Sequence, residues 1–138
     1  MTHPTPPSPA SAGLARAGRL LFITPFGVFG LMHLTGASQL ATQYDVPLGV
    51  AGVVLSGIAM LLATLAVYLG KLDKLAALLL AVLMLVYIVS LHVPQAAAGG
   101  ERGFMAIIGT FRDTAMAGAA LMYAARLARD TRYTPTFL

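Results

Sequence analysis

Hydrophobic positions along the chain fall into four long runs separated by short polar breaks. The runs cover Ala17–Ala37, Pro47–Leu69, Leu75–Val93 and Phe104–Ala125. Each approaches the ~20 residues needed to cross a hydrocarbon core at about 1.5 Å per residue. Backbone N–H and C=O groups in lipid have no water to bond, so each run is predicted to be a helix. The expected fold class is all-α, an integral membrane four-helix bundle over residues 14–126. Residues 1–13, "MTHPTPPSPASAG", are rich in Pro, Ser and Thr. They bury too little to pack and are expected to form an extended tail. Residues 127–138 form a second, cytoplasmic tail. Pro25 lies inside the first run, where it frees a carbonyl and is expected to bend the helix.

Composition sharpens this picture. The chain of 138 residues is 58% hydrophobic and only 10% charged, with a mean hydropathy of +0.81. A soluble domain carries roughly 25% charged residues, so a membrane protein of one domain is expected. Cysteine is absent, which excludes disulfides, thiolate metal sites and thiol chemistry. The pI near 9.9 invites a nucleic-acid reading. The basic residues, however, are spread over the ends of the runs, without a basic patch interleaved with aromatics. No nucleic-acid partner is expected.

Their distribution instead sets an orientation. Arg16 and Arg19 precede the first run, Lys71 and Lys74 lie in the "GKLDK" turn, and Arg126, Arg129 and Arg132 follow the fourth. All seven fall on one side, with Arg102 alone on the other and Arg112 within the fourth run. The positive-inside rule then puts both termini in the cytoplasm. Arg16, Arg19 and the following apolar run also suggest a signal peptide. Gly27, Gly30 and His33 interrupt that run, and it is too long for such a signal. "LTGA" is followed by Ser38 where a lipobox-like site would need Cys. A retained helix is expected.

Helices in lipid pack through small residues. Gly27 and Gly30 in the first run, Gly52, Ser56 and Ala59 in the second, and Ala115, Gly118 and Ala119 in the fourth are the candidates. The third run, "LAALLLAVLMLVYIVSL", is bulkier and is expected to face lipid more.

Four polar residues break the apolar runs in ways that packing does not require. His33 lies about 7 Å below the outer end of the first helix, and Arg112 and Asp113 lie roughly 12–15 Å deep in the fourth. His92 stands at the outer end of the third, in "LHVP". Helical side chains lean toward their own N-terminus, so these four converge in the outer half of the bundle. Asp113 shares a face with Gly109 and Ala117, which lets another helix approach. Tyr44 and Asp45 are outer-loop candidates beside the cluster. Ionisable residues in a membrane mark functional sites by default, and they also serve to lock one packing arrangement. Two His and one Asp without tight spacing do not make a metal site.

Taken in order, "RAGRLLFITPFGVFGLMHL", the "VP" of Val46–Pro47, "LHVP" and "TFRDTAMAGAAL" resemble the DoxX family of small four-helix bacterial membrane proteins. The resemblance runs from about Arg16 to Arg126. It implies a multi-pass protein of the bacterial inner membrane, similar to the small membrane subunit of a thiosulfate:quinone oxidoreductase. The family's helix-one histidine falls on His33, its His-x-Pro on His92 and Pro94, and its basic–Asp pair on Arg112 and Asp113. The first outer loop, "QYDVPLGV", departs from many relatives by having one proline in a shorter segment.

Two functions from different classes follow. One is an accessory or structural subunit of a larger membrane complex, with other membrane subunits and lipids as partners and no catalysis of its own. It requires only small-residue faces and a stable bundle. The other is a quinone-binding redox subunit, with His33 and Arg112 donating to a ring carbonyl and Asp113 relaying protons. The sequence carries no CxxCH, no cluster-binding cysteine and no dinucleotide motif, so no cofactor is intrinsic and a quinone is the ligand the cluster would take. A transporter would call for internal repeats, which are not evident. Close packing between the first and fourth helices, through Gly27, Gly30, Ala117 and Gly118, is expected to leave no room for a ring. The accessory role is therefore placed first.

Overall fold

The structure is a computed structural model, and it describes residues 8–130. Among these residues the chain is helical, with no strand. The elements are α1 (Pro9–Thr35), α2 (Ala37–Tyr44), α3 (Gly49–Leu69), α4 (Asp73–Tyr87), a π-helical turn (Ile88–His92), α5 (Val93–Ala98) and α6 (Gly100–Arg126). Three stretches are long and apolar enough to cross a membrane: α1, α3 and the continuous run from Asp73 to Ala98. Large apolar side chains point outward on every long helix, among them Leu21, Leu55, Leu62, Val89 and Phe111. Water does not tolerate such a continuous apolar surface, so the exposed faces suit a lipid surround. α6 is as long as α1, but Arg112, Asp113 and the charges at its ends lower its hydropathy.

The helix ends follow from local chemistry. Ser8 caps α1 by accepting from the Ser11 N–H at 3.3 Å, with Pro9 in the first turn. Residues 8–13, expected as part of an extended tail, are therefore mostly the first turns of α1. The rest of that tail, residues 1–7, and residues 131–138 of the second lie outside the described residues. α1 passes through Pro25 and stops at Gly36. The segment expected as an outer loop is the short helix α2, which packs on α3. Gly70, at φ +68, ends α3 in the left-handed conformation that glycine adopts without strain. Pro94 has no N–H and crowds the carbonyl four residues back. The π turn accommodates it, with the Val93 N–H reaching the Ile88 carbonyl.

α1 packs antiparallel on α3, α3 on α4, and α4 on α6. The α1–α3 contact is close. A β-carbon on Gly30 would lie 2.8 Å from Leu61 and 3.1 Å from the Gly57 carbonyl, and one on Gly57 would lie 2.8 Å from the His33 β-carbon. Gly57, not anticipated, is thus the partner of Gly30. Other expected packing positions fall elsewhere. Ala59, Ala115, Gly118 and Ala119 are exposed, and a β-carbon on Gly118 would meet nothing. The buried stripe of α6 is instead Gly103, Ala106, Gly109, Asp113, Ala117, Ala120, Tyr123 and Ala124, the helical period of one face. The third run also differs from expectation. The Asp73–Ala98 run is the most buried of the three apolar stretches and α1 the least. Alternating Ala76, Ala77, Leu80, Ala81 and Met84 fit it between α3 and α6.

α1 and α6 meet mainly at the end that carries the Gly70–Asp73 turn, called here the turn end. There Phe22 stacks on Tyr123 with ring centroids 5.1 Å apart, and Arg19 lies over the same ring at 5.9 Å. Beside them Asp73, fully buried, accepts from the Tyr123 hydroxyl (2.8 Å), the Arg129 N–H (2.8 Å) and the Asp130 N–H (2.9 Å). Asp130 accepts in turn from the N–H of Leu72 at 2.9 Å, holding that residue at φ +57. Asp73, in the "GKLDK" turn, and Asp130, in the segment expected as a tail, are the two halves of a clasp. It closes the α3–α4 turn over the end of α6.

Candidate functional site

Away from the clasp, at the end that holds α2 and α5 (the α2 end), the helices separate around a cavity of about 240 Å³. Phe29, Met32 and His33 of α1, Leu40 and Tyr44 of α2, and Val53, Ser56 and Met60 of α3 line one side. Met84, Tyr87, Leu91, His92, Arg112, Asp113 and Met116 line the other. The expected filling of this space does not occur, for a geometric reason. Gly27 and Gly30 face α3 rather than α6, and Gly118 faces away from the other helices. Four of the seven methionines line the cavity, giving a soft apolar wall that adapts to a flat guest.

Asp113, 1% exposed, organises the polar side. Its Oδ1 accepts from Arg112 Nε at 2.8 Å and its Oδ2 from His92 Nε2 at 2.9 Å. Of the four residues expected to converge, Asp113 bonds Arg112 and His92 and not His33. A carboxylate only accepts, so Nε2 is the donor of this bond. The Nδ1 of His92 is buried and has no hydrogen-bond partner among the described residues. His92 was expected near the rim; it is buried, 6% exposed, because α4 continues through the π turn into α5.

The ring of His92 lies directly on α6. A β-carbon at Gly109 would come within 2.6 Å of His92 Cε1 and 2.9 Å of both ring nitrogens. The expected approach of another helix at Gly109 is therefore the seat of His92. Gly109→Ala should push the ring off Asp113, since the nearest atoms belong to a rigid imidazole. Overpacking of this kind costs about 1–3 kcal/mol, to be read as a lowered midpoint of unfolding in mixed micelles. Ala115→Gly, at an exposed site on the same helix, should cost no more than the roughly 1 kcal/mol of helix propensity.

Arg112 reaches outward from this core. Its side chain is 49% exposed, and its guanidinium carbon lies 5.4 Å from the Phe29 ring centroid. A cation on an aromatic face is held loosely, and the two terminal nitrogens retain N–H groups for a guest. His33 stands across the cavity. Its Nδ1 is 2.7 Å from the Phe29 carbonyl oxygen, and a carbonyl only accepts, so Nδ1 is the donor. Nε2 is then an acceptor, 3.4 Å from the Tyr87 hydroxyl, with the two rings parallel at 6.3 Å. The expected role of His33 as a donor to a ring carbonyl does not fit this tautomer. His33 offers a guest a lone pair that the Tyr87 hydroxyl shares at 3.4 Å, and Arg112 offers the donors.

Tyr44 lines the cavity and receives a bond on its carbonyl from Gln95 at 2.7 Å. Asp45 is exposed at the left-handed end of α2, outside the lining. Tyr87 was not singled out in the sequence. Its signal was a phenol set in an otherwise apolar run, one and a half turns before His92. Comparison of the chain with family models, with curated proteins and with solved structures gave no match.

Proposed function

We propose that this protein is a membrane subunit that binds a flat, oxygen-bearing ring of the quinone class in the α2-end cavity. It works as an accessory subunit of a larger electron-transfer complex. The observation that carries this reading is the cavity itself, apolar along its walls, with donors from Arg112 at one side and an acceptor on His33 at the other. A cavity of about 150 Å³ takes a benzene ring, and drug-sized pockets start near 300 Å³. The observed 240 Å³ lies between them, the scale of one substituted ring. Arg112 would donate to a ring oxygen, and His33 Nε2 would accept from a ring hydroxyl. Electrons would pass to a partner subunit, since the chain has no cysteine and no haem-attachment motif. The resemblance to DoxX proteins, carried on His33, His92, Arg112 and Asp113, points the same way.

The test is extraction of bound quinone from protein purified in mild detergent, with titration of a tail-less benzoquinone and its quinol. A near-stoichiometric ligand is expected. His33→Ala and Arg112→Met should each weaken ring binding by about tenfold, the scale of one lost hydrogen bond to a charged or buried partner. Helix content and micelle size should not change. A wild-type protein that neither retains a quinone nor binds the probe would sink the proposal.

The topology belongs to the same reading: α6 is the fourth spanning helix, and both termini are cytoplasmic, from the seven-to-one distribution of basic residues. Cysteine introduced at Ser38 or Gly100 should be labelled from the periplasm, and at Lys71 from the cytoplasm. Lys71 is the right inner probe because it is exposed while Asp73 is buried. The reverse labelling pattern would refute the orientation.

A further inference from the structure

A second opening lies against the first. It is a groove of about 390 Å³ on the outward side of α3 and α4, with Leu55, Ala59, Leu83 and Val86 along its walls. Val46, Ser56, Tyr87 and Leu91 line both the groove and the cavity. These residues form the partition between a space that suits a ring and a space that opens on the apolar surface.

The groove asks nothing polar of an occupant. The Ser56 hydroxyl donates to the Val53 carbonyl at 2.9 Å, and the Ser90 hydroxyl donates to the Val86 carbonyl at 2.6 Å. What remains is hydrocarbon. Close contacts border the cavity on several sides. Gly30 against Gly57 closes α1 on α3, and His92 against Gly109 closes α4 on α6. Arg112 over Phe29 crosses the α1–α6 side with a charge. Leu40 and Tyr44 of α2 cover the end, and the core around Phe26 and Met60 fills the way toward the turn end. Beyond the partition at Ser56 and Tyr87 lies the free space of the groove.

We infer that the hydrocarbon tail of the ring-bearing ligand leaves the cavity between Ser56 and Tyr87 and lies in the α3–α4 groove. The inference rests on the ring-binding function proposed for the cavity. A cavity of about 240 Å³ holds the ring alone, so a long tail has to extend beyond it. In lipid the tail gains no hydrophobic free energy by entering a groove, because the bilayer is equally apolar. The groove therefore sets the direction of entry and discriminates among tails by shape.

The full-length protein in mild detergent would be titrated with two probes, a tail-less benzoquinone and the same ring bearing a long alkyl chain. Ala59→Trp and Val86→Trp fill the groove from its two walls. Ile58→Trp, also exposed but outside the groove lining, is the control. Each groove variant should weaken the tailed probe by about tenfold or more, as steric overfilling of a packed site does. The tail-less probe should bind the groove variants as it binds wild type, which also reports that they are folded. Ile58→Trp should change neither. Undiminished binding of the tailed probe to both groove variants would overturn the tail path while leaving ring binding intact. Failure of wild type to bind the tail-less probe would overturn the ring function, and the tail site with it. Loss of a dimer in the groove variants, with both affinities unchanged, would assign the groove to a second copy of the chain and overturn the inference.

Discussion

Asp113→Asn should lower the stability of the protein by roughly 1–3 kcal/mol, the cost of leaving a buried donor without its acceptor. Asp113 receives an N–H on each oxygen, from Arg112 at 2.8 Å and His92 at 2.9 Å. An asparagine has one acceptor and one donor edge, so its NH₂ must face one of these donors. His92 can accept from that NH₂ only by moving its proton to Nδ1, which is buried and has no partner among the described residues. If the amide turns the other way, Arg112 is left as an uncompensated charge. The double change Arg112→Leu with Asp113→Asn should therefore cost less than Asp113→Asn alone. The measurement is a double-mutant cycle by denaturation in mixed micelles, with Glu101→Gln as the exposed control. Additive losses would show that Arg112, 49% exposed, is not energetically coupled to the carboxylate.

Asp73→Ala should be the second large effect, about 2–4 kcal/mol, and it acts at the opposite end of the bundle. The carboxylate accepts from the Tyr123 hydroxyl and the N–H groups of Arg129 and Asp130. Each stranded buried donor costs about 1–3 kcal/mol, reduced where water reaches the group. Tyr123→Phe removes one donor together with its need for a partner and should cost only about 1 kcal/mol. Residues 127–130 should also become accessible to protease in Asp73→Ala, since that carboxylate ties them to the α3–α4 turn. A protease-resistant Asp73→Ala protein of wild-type stability would show that the clasp is not a stabilising element. Ring binding at the α2 end should survive this substitution, whereas Asp113→Asn should impair it.

Much of the polar site was legible because charges are rare in apolar runs. Arg112 and Asp113 announce themselves in "TFRDTAMAG", and the helical period places Gly109 on the face of Asp113. Pairing was not legible to the same degree. His33 and His92 both lie within reach on helical grounds, and the choice of His92 depends on the π turn before Pro94 and on the bare backbone at Gly109. Tautomers were out of reach as well, because each is set by a neighbour in space: the Phe29 carbonyl for His33 and the Asp113 carboxylate for His92. The clasp was missed because Asp73 and Asp130 sit in polar turn and tail segments, where an acidic residue is ordinarily solvated. Burial of both came from two segments more than fifty residues apart meeting at one helix end.

That the described residues are helical and carry apolar stretches long enough for a membrane can be read from the chain alone, because hydropathy and helix length depend on local composition and period. Which residues are too polar for those stretches can be read in the same way. Which small residues touch depends on how the helices pack, as with Gly30 against Gly57, while Ala115, Gly118 and Ala119 face outward. A glycine permits close approach on any face of its helix, and the rotation of that helix is set by its neighbours. The same rotations turned Gly27 and Gly30 toward α3, left α1 and α6 apart at the α2 end, and so left a cavity of about 240 Å³ around His33, Arg112 and Asp113. Empty space is a property of the whole packing, since a local pattern records the faces that helices present and not the distance at which they come to rest.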